Sequence, residues 1–319
     1  MEYRKLISFG KSSFVVSLPK SWVNRQKLKK GDLIYINENK NDLVLQPRQI
    51  TNGDEEKEIT IMIDGKDSKR IQRETISAYV QNHKTIILKG NEIKDKAKEI
   101  KSFIQKLVAL EVMEQDSKKI VMKDFLNMKD ISMEQIIRKM DVITRSMLSD
   151  CKQMFKENNH ESIYNRDDDV NKFRFLISRM IWYGMENPSL ILKKYDLKQM
   201  ELFNIWWLSF SLEQIADHVK RISRHMKDVK LSAKSQTEFV ELLDKIEKVY
   251  VDILKAYYTN NVEVAHTIAN ERTEILGLCD QFYLKNRDAN FVGYLIYDTK
   301  SLIVNISTIG RIVYQGIAV

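Results

Sequence analysis

The period of the hydrophobic pattern changes twice along the chain. Up to about residue 50, short apolar and alternating runs predict strands, with one short helix after Pro19. Over residues 58–126 the runs predict strands and helices in the order βαβαββ. From Ser132 onward apolar residues recur every three or four positions, which predicts helices. The pattern therefore predicts a multidomain α+β protein whose C-terminal half is all α.

The first 50 residues are predicted to form short strands around one helix. The expected strands are Tyr3–Phe9, Ser13–Leu18, a strand through Ile36, and "LVLQP", which Pro47 ends. The helix is expected over Lys20–Leu28, because proline is well suited to a helix start. The stretch Arg48–Glu58 is polar and contains glycine, so it is predicted to be a linker.

The helical half is predicted to contain two related three-helix units. The six helices are expected near 132–158, 161–187, 196–229, 232–259, 261–286 and 288–317. Ser132 and the three residues after it form a capping box that starts the first helix. Paired asparagines in "FKENNHES" and "YYTNNVEV" each separate two helices, and this register places Asp169 opposite Glu271. Together these features divide the chain into domains over residues 1–50, 55–127 and 132–319.

Positive charge is concentrated at the N-terminal end. The 319-residue chain has a formal net charge of +8. Its first 50 residues contain ten Lys and Arg against four Asp and Glu, a net charge of +6, and the remainder carries only +2. A basic segment on a nearly neutral body is typical of a nucleic-acid-binding module. Surface lysines that only aid solubility are the alternative explanation.

Several functional classes find no support in the sequence. No run of about 18 apolar residues indicates a membrane span, and the first residues lack the apolar stretch of a signal peptide. Two distant cysteines, Cys151 and Cys279, fit a reducing compartment, so a cytoplasmic location is expected. The chain has no motif of a hydrolase, metalloprotease or dinucleotide-binding enzyme, so no enzyme activity is expected.

The tripeptide Gly10-Lys11-Ser12 matches the end of a phosphate-binding loop of nucleotide-binding proteins. The first glycine of that loop would stand at position 5, which is Lys5. The residues that follow, Phe14–Val16, favour a strand, whereas the loop must open a helix. Lys11 is therefore predicted to meet the phosphate of DNA rather than that of a nucleotide.

The N-terminal segment resembles the SpoVT/AbrB/MazE family of DNA-binding domains. The resemblance rests on Gly10-Lys11, on "VVSLPKSW" (Val15–Trp22) and on "LKKGDLIYI" (Leu28–Ile36). It implies a swapped-hairpin β domain in which two chains exchange hairpins, so the expected partners are DNA and a second copy of the chain. The basic residues in the matching stretches, which the resemblance implies contact DNA, are Arg4, Lys5, Lys11, Lys20 and Arg25.

The helical half resembles the PhoU family of phosphate-uptake regulators. The best motif is "LEQIADHVKRI" (Leu212–Ile222), in which Glu213 and Asp217 are four residues apart and share one helix face. The resemblance implies a metal cluster, and Asp169 or Asp168 is the expected third carboxylate. Carboxylates suit a divalent metal or iron. A solvated or Lys/Arg-paired acidic face is the alternative.

Two further positions bear on the metal prediction. His218 follows Asp217 and is either a ligand or a surface histidine. The second repeat has Ser307 and Arg311 where the acidic pair would stand, and a cation there would be repelled by Arg311. The metal site is therefore predicted only for the first three-helix unit.

The two resemblances together are typical of archaeal phosphate-uptake regulators. They imply a dimeric transcriptional regulator of phosphate uptake, with a PhoU-like body that receives a signal. Two alternatives remain open at this point. One is an adaptor that docks on a phosphate transporter or sensor kinase without binding DNA, and the other is an antitoxin-like partner protein.

Overall fold

The computed structural model describes residues 3–38, 43–47, 57–186, 197 and 199–316. The chain divides into two units, residues 1–56 and 57–319. Nearly all of the predicted linker lies outside the described residues, as does the connection that contains Pro188.

The first unit consists of two short hairpins and one short helix. The elements are β1 (Ile7–Phe9), β2 (Ser13–Val15), α1 (Lys20–Arg25), β3 (Tyr35–Glu38) and β4 (Leu43–Gln46). β1 pairs with β2 and β3 with β4, both antiparallel, in two separate sheets. The strands are shorter than predicted because each pairs only with its hairpin partner, over three or four residues.

A tight turn connects β1 to β2 at Gly10-Lys11-Ser12. Gly10 has φ +69°, a conformation that glycine adopts without a steric penalty. Ser13 begins a strand, and the next helix begins only at Lys20. The prediction that no helix follows this glycine-lysine pair is confirmed, so the tripeptide is a hairpin turn and not a nucleotide-binding loop.

The described residues of the first unit form no buried core. No described side chain between residues 3 and 47 is buried. Large apolar side chains in and next to both hairpins are exposed: Tyr3, Leu6, Ile7, Phe9, Phe14, Val15, Val16, Leu33, Ile36 and Leu43. A single copy of this segment therefore gains little of the apolar burial that stabilises a fold.

The second unit begins with a four-stranded sheet and two helices. The elements are β5 (Glu58–Met62), α2 (Ser68–Val80), β6 (Thr85–Lys89), α3 (Ile93–Ile104), β7 (Leu110–Gln115) and β8 (Lys119–Asp124). The strand order is β5-β6-β8-β7, with β5 parallel to β6 and the other pairs antiparallel. The element order βαβαββ is the one that the hydrophobic pattern predicts.

Apolar side chains of the sheet and its helices form one small core. Ile86 and Leu88 of β6 are fully buried, as is Tyr79 of α2. Phe175, which belongs to a helix of the following bundle, packs against the same core. Apolar contacts therefore join the sheet to the helical bundle that follows it.

Six long helices make up the rest of the described chain. They are α4 (Met133–Lys152), α5 (His160–Glu186), α6 (Gln199–Asp228), α7 (Ala233–Thr259), α8 (Val262–Asn286) and α9 (Val292–Gly316). Ser132 begins α4 as predicted, because its Oγ accepts the Gln135 amide at 3.3 Å. Within the described ranges, no helix is long and apolar enough to cross a bilayer.

The six helices share one continuous apolar core, although the sequence suggests two three-helix units. α6 of the first unit packs along α9 of the second, and α4 packs against α7. Gly310 lies at a close approach in α9, where an added Cβ would stand 3.3 Å from Ile253 Cδ1. The small residue at this position lets the second three-helix unit pack tightly.

A buried ion pair joins the sheet to the bundle. Arg179 of α5 has no solvent exposure. Its Nη1 and Nη2 donate to the two carboxylate oxygens of Asp124 at 2.9 and 2.6 Å. Lys84 Nζ donates to the same carboxylate at 2.9 Å, and Asn82 Oδ1 accepts from Arg179 Nε at 3.0 Å. The guanidinium also lies 4.5 Å from the centre of the Tyr79 ring.

We expect Arg179→Met to lower the free energy of unfolding by roughly 3–5 kcal/mol, because it leaves Asp124 buried without its main counter-charge. The double change Arg179→Met with Asp124→Leu should recover much of that loss, since no uncompensated buried carboxylate remains. Urea unfolding followed by circular dichroism measures both effects.

A surface ion pair provides the control. Lys57 and Glu186 are also bonded, at 2.8 Å, but each side chain is about 40% exposed. Lys57→Ala should therefore change the stability by less than about 1 kcal/mol. Equal losses for Lys57→Ala and Arg179→Met would show that burial of the Arg179 pair contributes nothing.

Candidate functional site

The basic residues predicted to contact DNA are all exposed. They are Arg4, Lys5, Lys11, Lys20 and Arg25. Lys11 stands in the β1–β2 turn, and Lys20 and Arg25 are the first and last residues of α1. Flexible, exposed cations of this kind suit contacts to phosphate oxygens, which give affinity without sequence readout.

Of the acidic pair of α6, Asp217 is paired with two cations of its own helix. Asp217 Oδ1 lies 2.8 Å from Lys220 Nζ, and its Oδ2 lies 2.7 Å from Arg221 Nη2. Glu213 is half-buried and accepts a hydrogen bond from Gln214 at 2.8 Å. Asp217 therefore fits the alternative to a metal site, which is an acidic helix face paired with Lys and Arg.

The carboxylate that α5 contributes is Asp167, and the predicted Asp169 is exposed. Asp167 is only 3% exposed and accepts from Lys220 Nζ at 2.6 Å. Asp168 instead pairs with Lys106 of the sheet segment at 2.7 Å. Because each helical residue is rotated by about 100°, a residue two positions away points to nearly the opposite face. Because of this rotation, Asp169, which the sequence register selected, lies on a different face of α5 from Asp167.

The predicted metal site of Asp169, Glu213 and Asp217 is not assembled. Across the described ranges, no group of three or more His, Cys, Asp or Glu side chains has an arrangement that could hold a metal ion. Lys220 lies between Asp167 and Asp217, at hydrogen-bonding distance from both. The residues present therefore do not fit a metal ion.

Burial and Lys220 have opposite effects on the pKa values of Asp217 and Asp167. At Asp217, burial raises the pKa, but the hydrogen bond and charge of Lys220 and the charge of Arg221 outweigh it and lower the pKa. At Asp167, burial dominates over Lys220, and the nearby charges of Asp217 and Glu213 add to it, so the pKa is raised.

His218 is buried rather than on the surface, and it contacts a carboxylate that the sequence analysis missed. Its Nδ1 donates to Asp298 Oδ1 at 3.1 Å. His225, two turns further along α6, donates from Nε2 to Asp298 Oδ2, also at 3.1 Å. Asp298 belongs to α9 and is 4% exposed. The seven-residue spacing of the histidines was a visible signal, but the distant aspartate had none.

The second repeat has no comparable polar cluster at its matching positions. Ser307 Oγ donates to the Ile303 carbonyl of its own helix at 2.8 Å, and Arg311 is exposed.

The two cysteines, Cys151 and Cys279, offer no reactive thiolate. Burial raises the pKa of both thiols to about 12, so they remain protonated and are poor nucleophiles.

The histidine contacts predict a pH dependence. Burial lowers the pKa of His225 and the charge of Arg224 adds to this, although Asp298 raises it. The folded protein then binds the proton less tightly than the unfolded chain, so stability should fall as the pH drops below about 6.5. His225→Gln keeps a donor for Asp298 and should reduce the slope of the unfolding free energy between pH 7.5 and 5.5. The slope that remains includes the contribution of His160, whose pKa burial also lowers.

The exposed His266 of α8 supplies the matched control for this measurement. His266→Gln should leave the pH profile as in the wild type. Parallel profiles for the wild type and His225→Gln would contradict a role for His225 in the pH dependence.

The comparisons with known proteins identify part of the helical body. Residues 137–226 match the model of the PhoU domain, a range that begins within α4 and ends in the last turn of α6. Comparison with curated proteins and with solved structures gives no significant match. The PhoU domain indicates a role in the regulation of phosphate homeostasis.

Proposed function

We propose that the protein is a dimeric DNA-binding regulator of phosphate uptake. Residues 1–50 form the DNA-binding head, and the PhoU-like body receives the signal. The observation that carries the proposal is the combination of exposed apolar hairpins with exposed basic residues in one segment that has no described buried side chain.

The apolar hairpins support a second copy of the chain as the partner that covers them. Phe14 and Ile36 are 67% and 62% exposed. Covering one such side chain contributes about 1.5–3 kcal/mol, and segments of this size usually need oligomerisation to fold. A second copy presents the same apolar surfaces, which is the self-complementarity of a two-fold interface.

The basic residues support DNA as the ligand of that dimer. The first 50 residues carry a net charge of +6, and a dimer doubles it. Lys11 extends from the hairpin turn, and Lys20 and Arg25 extend from α1. Cations on separate elements can follow the phosphates of a duplex, so the head would bind DNA mainly through its backbone.

The ion pair between the sheet and the helical bundle supports the transfer of a signal from the body to the head. β5 is the next described element after the head, and the sheet is bonded to α5 through Arg179 and Asp124. A shift of α5 within the PhoU-like body would therefore move the sheet as well. The strand that follows the head then moves with the body.

An adaptor without DNA-binding activity is the second candidate function, and one observation favours it. α2, α5 and α6 line an apolar cleft of about 800 Å³. Trp182, Phe203 and Trp206 line it and are 42%, 48% and 38% exposed. Arg73 and Arg174 also line it, which suits an acidic amphipathic helix of a transporter or sensor kinase.

Of the two predictions that follow from this proposal, the first concerns DNA binding. Changing Arg4, Lys5 and Lys11 to Ala should weaken binding to all DNA sequences and reduce the salt dependence, by roughly one unit of slope per lost phosphate contact. Fluorescence anisotropy with a labelled duplex at several salt concentrations measures both. The matched control changes three exposed lysines of α3, outside the head, to Ala: Lys94, Lys98 and Lys101.

An unchanged salt slope in the head variant would overturn the DNA-binding proposal. The same would follow if the control variant lost as much affinity as the head variant, since binding would then reflect net charge alone. Absence of any binding by the wild type would favour the adaptor.

The second prediction concerns the dimer. Phe14→Glu places a charge in the apolar surface that a second copy would cover, so it should shift the full chain from dimer to monomer. Sedimentation equilibrium at low micromolar concentration measures this. Val142→Glu is the matched control, because Val142 is similarly exposed, at 64%, but lies on α4. A wild-type monomer, or a dimer that survives Phe14→Glu, would contradict the swapped interface.

A further inference from the structure

An ammonium group lies among the carboxylates of the PhoU-like bundle. Lys220 Nζ is 2.6 Å from Asp167 Oδ2 of α5 and 2.8 Å from Asp217 Oδ1 of its own helix. Its side chain is 22% exposed, so it is largely enclosed by the two helices.

The ammonium takes the position that a metal ion would need. Hard cations bind carboxylate oxygens at 2.0–2.6 Å, and Asp167 Oδ2 and Asp217 Oδ1 both lie within 2.8 Å of Lys220 Nζ. A divalent or ferric ion bound to the same oxygens would lie against the positive charge of Lys220. The Coulomb repulsion between two cations a few ångströms apart disfavours such binding.

The lysine is held in place from several sides. Its Nζ lies 5.7 Å from the centre of the Tyr164 ring. The remaining oxygen of Asp217 is already bonded to Arg221. On α5, Asn171 donates to the Asp167 oxygen that Lys220 also contacts, at 3.2 Å. These contacts fix the ammonium between the helices.

The charges nearly balance as long as the lysine is present. Three carboxylates, those of Asp167, Glu213 and Asp217, are offset by Lys220 and Arg221. Asp167 Oδ1 is buried and has no hydrogen-bond partner among the described residues. Without Lys220, Arg221 would still pair with Asp217. Asp167 would be left as a buried carboxylate without a cation, which is costly unless another cation joins it.

We infer that Lys220 is the built-in cation of this carboxylate group and that it closes the group to metal ions in this chain. The signal that the body receives then does not enter as a metal ion at this position. Removing the lysine should convert the group into a divalent-cation site, with Asp167 and Asp217 as its oxygen donors.

Thermal unfolding of the full chain with and without Mn²⁺ tests the inference. The melting temperature of the wild type should not change with Mn²⁺. Lys220→Met should melt at a lower temperature than the wild type without metal, and Mn²⁺ should raise that temperature by several degrees, because the ion binds only the folded state. Lys220→Arg, which keeps a cation, should stay insensitive to Mn²⁺.

A second change identifies the ligands. Adding Asp217→Asn to Lys220→Met should abolish the response to Mn²⁺. A folded Lys220→Met variant whose melting does not respond to Mn²⁺ would overturn the inference, because the lysine would then not be what excludes the ion.

If Lys220→Met does not fold, measurements on the wild type and on Asp217→Asn still test whether this carboxylate group excludes metal ions. Protein purified without chelator should contain much less than one metal ion per chain by elemental analysis, and titration calorimetry with Mn²⁺ should show no binding that depends on Asp217. One bound ion per chain, lost in Asp217→Asn, would overturn the inference.

Discussion

A buried charge must have a partner, and the pairing of Arg179 with Asp124 determines how the second unit is assembled. The arginine lies in the middle of a long helix, and the aspartate ends the strand β8. Each would cost several kcal/mol if it were buried alone. Because both charges are satisfied only when sheet and bundle are in register, the ion pair favours one arrangement of the two parts over slipped alternatives.

The same constraint recurs between the helices of the bundle. Asp141 of α4 accepts from the Tyr250 hydroxyl of α7 at 2.9 Å, and Asp298 of α9 accepts from two histidines of α6. Lys220 connects α6 to α5. The contacts of Asp141 and Asp298 thus cross-link the two three-helix units, and the contact of Lys220 joins two helices within the first unit.

Local periodicity explains what the sequence predicted well. The six helices and the βαβαββ order follow from patterns within 10–30 residues, and the turn at Gly10 follows from its neighbours. The site residues depend on helix rotation and on contacts between distant segments. Asp167 rather than Asp169 faces α6, and Asp298 lies 80 residues from His218, so neither could be read from spacing within one motif.

Genome-wide mapping of the DNA bound by the full chain, in cells grown at high and at low phosphate, tests the proposed function most directly. A DNA-binding phosphate regulator should occupy sites upstream of phosphate-transport genes, and the occupancy should differ between the two conditions. If no site is enriched at either phosphate level, or if occupancy is the same at both and unrelated to such genes, the protein is not that regulator.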